Sequence, residues 1–182
     1  MTTKNKLLID VITLFPEFFR EPLNYGPMRR ARELEVFEVR LWNPRDFVEN
    51  PKDVDDYPYG GGSGMVLKFE PIKAILDKVK GPDALSVYLT PQGVTFNEEL
   101  ARDLSRERHI ILLCGRYKGV DERIVEEFDL ELSIGDYVLS GGEPAALVVL
   151  DSVVRHIPGA LGEKDSADTD SFATGILDAS YY

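Results

Sequence analysis

Three short stretches of the chain combine glycine with residues able to bind a ligand. They are Thr90-Pro91-Gln92-Gly93, Cys114-Gly115-Arg116-Tyr117-Lys118-Gly119, and Ile134-Gly135-Asp136-Tyr137-Val138-Leu139-Ser140-Gly141-Gly142-Glu143. Glycine lets a ligand come against bare main-chain N–H and C=O groups, which suits a purine or a ribose recognised by backbone hydrogen bonds. One such loop is ordinary turn chemistry; three of them beyond one sheet edge predict a pocket. The familiar phosphate-binding patterns are missing. Gly60-Gly61-Gly62-Ser63-Gly64 does not satisfy G-x-G-x-x-G, and no glycine is followed by lysine as a P-loop requires, so neither NAD nor ATP is indicated. No G-x-S-x-G occurs, and neither His109 nor His156 has an evident nucleophile partner, so both are read as structural. Cys114 ends an apolar run and is expected to be buried rather than reactive. A single cysteine and two histidines form no disulfide and no metal cluster, which argues against zinc chemistry and leaves no metal ligands to assign.

The elements that must position these loops follow from hydrophobic patterning. Leu7 to Leu14 is an almost unbroken apolar run stopped by Phe15-Pro16, the pattern of a buried strand of a parallel sheet followed by a helix start. Prolines 22 and 27 divide the region from Glu17 to Glu35 into two short helices, and Val36 to Trp42 alternates as a second strand. Asn43 to Gly64 holds three prolines, four glycines and five acidic residues, which marks a long irregular segment and a candidate site loop. Further along, the spacing predicts a helix over Phe69 to Lys80, a strand over Ala84 to Leu89, and a helix from the N-cap Asn97 to Arg108. It then predicts a strand over His109 to Cys114, a short helix over Asp121 to Phe128, short strands around Gly135 between Leu130 and Leu139, and an apolar helix from Glu143 to Ile157. This alternation defines an α/β fold with a largely parallel sheet covered on both faces. Beyond Gly162 the sequence turns small and polar, as a linker does. In open α/β sheets the ligand lies beyond the carboxyl ends of the strands, where the three glycine-bearing loops fall.

The composition bounds the function classes. With 182 residues, 43% hydrophobic and 29% charged, the chain has the makings of one well-packed domain. Its longest apolar runs, Ile110 to Cys114 and Ala145 to Leu150, fall far short of the roughly 20 residues that a bilayer span needs. The polar start Met1 to Lys6, followed by a run broken at Asp10 and Pro16, fits no secretory signal, so the expected compartment is the cytoplasm. A net charge of −11 opposes charge-driven binding to nucleic acid by the chain as a whole. A local basic patch remains at Arg29, Arg30 and Arg32, followed by Arg40 and Arg45; taken by residue type alone, it is a solvated helix face.

The runs LFPEFF, DDYPYGGGSGM, YLTPQG, LLCGRYKGVDER, SIGDYVLSGGE, DSVVRHIPGALG and DSFATGILD, in this order over about Leu7 to Tyr182, closely resemble the bacterial tRNA (guanine-N(1))-methyltransferase family, TrmD, of the SPOUT class. The resemblance implies S-adenosylmethionine-dependent methylation of the guanosine just 3′ of the tRNA anticodon. It also implies a homodimer with active sites at the subunit interface, and a deep trefoil knot formed as the chain near the three loops threads through itself. Knots are exceptions among folds, and this one follows from the resemblance alone. Carried over, the cofactor pocket uses Tyr88, Leu89, Thr90, Pro91, Gln92, Gly115, Tyr117, Ile134, Gly135, Tyr137, Leu139, Gly141 and Gly142. The division implied is a methyltransferase domain over residues 1–161, with 162–182 as linker at the start of a C-terminal tRNA-binding domain.

The chemistry at guanine N(1) needs a base for its proton and a cation for the charge that builds on O6. The resemblance assigns these roles to Asp170 in DSF and Arg155 in VVRHIPG. Asp55, Tyr59 and Gly60 resemble positions that contact the anticodon stem-loop or shape the donor pocket, and Arg29 and Arg45 are candidate phosphate contacts.

Two departures from the family pattern stand out. Many members carry glutamate where this chain has Lys118, an acid associated with the methionine amino group and with magnesium dependence. A lysine there places positive charge near an already cationic donor. Weaker donor binding, loss of a magnesium requirement, and an outward-pointing side chain all remain open. The second departure is the end at Tyr182, where family members continue into the helical tRNA-gripping domain; the 182-residue chain is therefore expected to methylate tRNA poorly by itself. The alternatives are a cofactor-binding and dimerisation module without catalysis, and a SPOUT methyltransferase acting on another RNA.

Overall fold

The computed structural model describes residues 6–162, 170–173 and 175–177. The expected linker beyond Gly162 therefore lies mostly outside the described residues. In chain order the elements are β1 (Leu7–Ile12), α1 (Gly26–Glu33), β2 (Phe37–Trp42), β3 (Asp55–Asp56), β4 (Val66–Leu67), α2 (Phe69–Val79), β5 (Ala84–Thr95), α3 (Glu98–Leu104), β6 (His109–Cys114), α4 (Glu122–Val125), β7 (Leu130–Ser133) and α5 (Glu143–Arg155). Five strands form one parallel sheet in the order β2-β1-β6-β5-β7. The inner strands β1 and β6 are buried on both faces, which is why LLIDVI and HIILLC read as continuous apolar runs rather than alternating ones. Each fully buried Ile or Leu in them contributes about 1.5–3 kcal/mol.

Two cores sandwich the sheet. Odd-numbered β1 residues such as Ile9 and Val11 pack with Met28 of α1, Leu104 of α3 and Val149 and Val153 of α5. On the opposite face Ile12, Ile111 and Leu113 pack with Ile72, Ile75 and Leu76 of α2 and Ile124 of α4. The expected α/β class with a parallel sheet covered on both sides is what the chain adopts.

Several boundaries differ from the sequence expectations, each for a local reason. The segment after Pro16 forms two 3-10 turns, Pro16–Phe19 and Pro22–Asn24, before α1, because each proline starts a turn without supplying an N–H to prolong it. The helix capped by Asn97, whose side chain accepts from the Leu100 amide at 2.9 Å, ends at Leu104 rather than Arg108. Ser105 turns its hydroxyl back onto the Arg102 carbonyl there at 2.7 Å. Only Leu130–Ser133 of the expected Leu130 to Leu139 strands pairs; residues 134–139 leave the sheet.

Strand β5 shows the largest difference, running to Thr95 instead of Leu89. Leu89 and Val94 both face Leu132 of β7, so Thr90 to Gly93 is thrown out of register between them. Gly93 permits this crossing: a Cβ there would lie 2.3 Å from the Leu132 amide nitrogen. The irregular segment flagged between Asn43 and Gly64 holds two more 3-10 turns, and the β3–β4 pairing closes a loop over residues 57–65.

Candidate functional site

The out-of-register Thr90 to Gly93 bulge, the loop after β6 and the loop after β7 meet at the carboxyl end of the sheet. The Gly142 amide donates to the Gly115 carbonyl at 2.9 Å, and Arg116 and Gly141 form an antiparallel bridge, so the second and third loops are fastened to each other. The second loop is tied to the β3–β4 segment as well. The Lys118 amide donates to the Met65 carbonyl, and the Leu67 amide donates to the Gly119 carbonyl. Tyr117 adopts a φ of 61°, a left-handed conformation that only the surrounding hydrogen bonds can hold for a side chain of its size.

Between these loops is a cavity of about 530 Å3. All thirteen positions expected to serve a cofactor line it: Tyr88, Leu89, Thr90, Pro91, Gln92, Gly115, Tyr117, Ile134, Gly135, Tyr137, Leu139, Gly141 and Gly142. The volume lies in the range of small-molecule sites. Burial pushes the Tyr88 phenol above its ordinary pKa despite the hydrogen bond with Thr90, so it stays protonated. Cys114, behind the wall, is buried, and burial drives its thiol well above the usual range, so it stays an inert thiol.

Apart from Lys118, which the family resemblance had already set near the donor, sequence reasoning assigned no role to the charged part of this wall. Arg116, Lys118, Glu122 and Glu131 also line the cavity. Behind them Glu143, fully buried at the start of α5, accepts from the Thr13 hydroxyl at 2.8 Å and pairs with Arg116 Nη2 at 2.8 Å. Arg116 further donates to the Ser140 carbonyl and lies over the Phe15 ring at 4.4 Å. Thus three separate segments, 13–15, 116 and 140–143, converge on one buried ion pair. The available signal was an acid opening the apolar helix after Gly141-Gly142.

The remaining expected residues lie elsewhere. Arg155, at the end of α5, donates to Asp170, so the two are brought together, and neither is among the residues lining the cavity of their own chain. Tyr59 is fully exposed in the β3–β4 loop with Gly60 beside it, and Asp55 begins β3. Arg45 donates to the Leu14 carbonyl at 2.8 Å and also lies over Phe15, 5.4 Å from the ring centre. Arg29 is exposed on α1 and paired with Glu33. Other arginines of the expected basic patch are engaged in the fold: Arg30 bonds the Gly159 carbonyl, Arg32 the Leu23 carbonyl, and Arg40 holds buried Asp10. Both histidines pair with carboxylates, His109 with Asp10 at 2.7 Å and His156 with Glu98 at 3.0 Å.

The parallel sheet with a glycine-lined cavity beyond its strand ends defines an α/β domain of the kind that takes small ligands at that edge. The chain belongs to the tRNA (guanine-1)-methyltransferase TrmD family, whose sequence model matches residues 7–182. It is 48% identical over 177 residues to a tRNA (guanine-N(1)-)-methyltransferase of Dictyoglomus turgidum, covering 97% of this chain and 72% of that protein. With the enzyme of the same description from Geotalea uraniireducens it shares 50% identity over 177 residues, covering 95% of this chain and 72% of the relative. The crystal structure of the tRNA (m1G37) methyltransferase from Aquifex aeolicus superposes with a TM-score of 0.78 at 40% identity, covering 87% of this chain and 73% of that one.

Proposed function

We propose that this chain transfers the methyl group of S-adenosylmethionine to N(1) of the guanine just 3′ of a tRNA anticodon, as a homodimer acting in the cytoplasm. The observation that carries the reading is the three-loop cavity, on a chain that belongs to a guanine-1 methyltransferase family. The cavity fits the donor chemically as well as by size. Its bulge and glycine loops offer main-chain groups to an adenosine, and the acids Glu122 and Glu131 suit a ligand that bears positive charge. The bound donor would supply an electrophilic methyl on a sulfonium.

Everything else falls to the protein. Asp170, an acceptor near the chain's end, takes the N(1) proton, so that the ring nitrogen's lone pair becomes the nucleophile. Arg155 stabilises the charge that then accumulates on O6. Their mutual ion pair, half-exposed, keeps both preformed until a base enters. That neither residue lines the cavity of its own chain supports a dimer in which the pair from a second copy completes that cavity. Asp55 begins β3, and Tyr59 and Gly60 lie on the loop that β3 and β4 close, which is joined to the cavity through the Lys118 to Met65 bond and so suits contact with the nucleotide substrate. Among the described residues no cluster of three His, Cys, Asp or Glu side chains could hold a metal, and no helix is long and apolar enough to cross a membrane.

Transfer of labelled methyl to tRNA transcripts with and without the target guanosine tests the reading. Asp170→Asn is expected to lower turnover by about 10²–10⁴-fold while donor binding, followed by calorimetry, stays within a factor of two or so. A variant with unchanged turnover removes Asp170 from the proposed chemistry.

A further inference from the structure

Three charged side chains that line the cavity have no ion-pair partner among the described residues: Lys118, Glu122 and Glu131. The fourth, Arg116, is already neutralised by buried Glu143 at 2.8 Å. The cavity therefore presents two free acids and one free base. S-adenosylmethionine presents the complement, with a sulfonium and an α-ammonium carrying positive charge and one carboxylate carrying negative charge.

The geometry points to Lys118 as the residue that takes the carboxylate of the donor's methionine moiety, and so as a specificity determinant for the intact amino acid. This rests on the donor reading above. The position of the side chain is defined by its stem. A Cβ added at Gly64 would lie 2.8 Å from Lys118 Cγ and 3.3 Å from Cε, so the absence of a side chain at residue 64 makes the bed on which the lysine stem lies. Gly64 adopts a φ of +104°, a conformation that disfavours any replacement with a side chain. The Lys118 amide is bonded to the Met65 carbonyl on the same loop at 3.0 Å. The lysine is thus braced along the cavity rim with its ammonium left for a ligand anion. A charge-assisted bond from an ammonium to a carboxylate is stronger than a neutral one and rejects a ligand that lacks the anion.

Titration calorimetry without RNA, using S-adenosylmethionine and its decarboxylated analogue, tests this. The wild-type chain should bind the intact donor about tenfold more tightly than the analogue. Lys118→Met should lose about that tenfold for S-adenosylmethionine and lose nothing for the analogue, which has no carboxylate to pair. Lys118→Glu should weaken the intact donor further and improve the analogue. Lys118 is exposed, so an unchanged melting curve is expected of both variants and serves as the folding control. Equal losses for both ligands, or none for either, would overturn the proposal. Failure of the folded wild-type chain to bind either ligand would instead overturn the donor reading itself.

Discussion

Among the described residues Asp10 and Glu143 are the two carboxylates with no exposed surface, and they are held in opposite ways. Asp10, in the middle of β1, accepts two bonds from Arg40 at 2.8 and 2.7 Å, one from Trp42 Nε1 at 2.7 Å, and faces His109 Nε2 at 2.7 Å. Its oxygens are saturated, and the partners come from β2 and β6, the strands on either side. Glu143 has the Thr13 hydroxyl on one oxygen; the other faces Arg116 Nη2 without a well-directed hydrogen bond, and Arg116 Nε has no partner. The contrast follows position. Asp10 locks three strands in register away from the cavity, whereas Glu143 joins loops around it, where geometry answers to a ligand's shape as much as to internal satisfaction.

This comparison can be broken by mutation. The largest effect is expected for Asp10→Ala, which strands the Trp42 and His109 donors and the Arg40 guanidinium: a loss of about 3 kcal/mol in urea unfolding, with no separate change in donor affinity in the fraction that remains folded. A loss below about 1 kcal/mol would show that the saturated cluster is not what pins the strands. Glu143→Gln keeps the shape and removes the charge. It should cost about 1–2 kcal/mol of stability and, unlike the change at Asp10, raise KM for the donor several-fold, because Arg116 is released from between Ser140 and Gly141. Stability loss with an unmoved KM would make Glu143 a second Asp10.

The smallest effect concerns acid. Burial raises the Asp129 carboxyl, but bonds from the Ser86 hydroxyl and amide and from Lys80 outweigh it and hold its pKa below the usual 3.8. A depressed folded value contributes stability that is present above pH 3.8 and disappears as pH falls through the lower folded value. The stability gap between wild type and Asp129→Asn should therefore be largest near neutrality and close in acid. With the side chain 44% exposed, it should stay under about 1 kcal/mol. A gap that widens on acidification would reverse the assignment.

Much of the site was legible because glycine and turn chemistry are local properties. Ile134-Gly135, Gly141-Gly142 and Gly115 announce bare backbone wherever the chain goes, and the strand ends say which side of the sheet they share. Of the charged lining only Lys118 was legible; the acids were not. Glu131 stands in a strand and Glu122 in a short helix, positions where an acid is ordinarily solvated, and only the folded chain turns both onto one cavity. The bulge in β5 was hidden for a similar reason: Thr90-Pro91-Gln92-Gly93 looks like the end of a strand, and pairing resumes at Val94 only because β7 is there to receive it.

Taken alone, the order of residues determined the α/β class, the buried strands and the glycine loops, since hydrophobic period and backbone freedom are written residue by residue. Tertiary structure decided which charges are spent and which are free. Arg116 and Lys118 are two positions apart on one loop, yet a carboxylate 27 residues beyond the first neutralises it while the second lies along Gly64 without a partner among the described residues. Coulomb attraction acts through space, and the sequence does not list the distances.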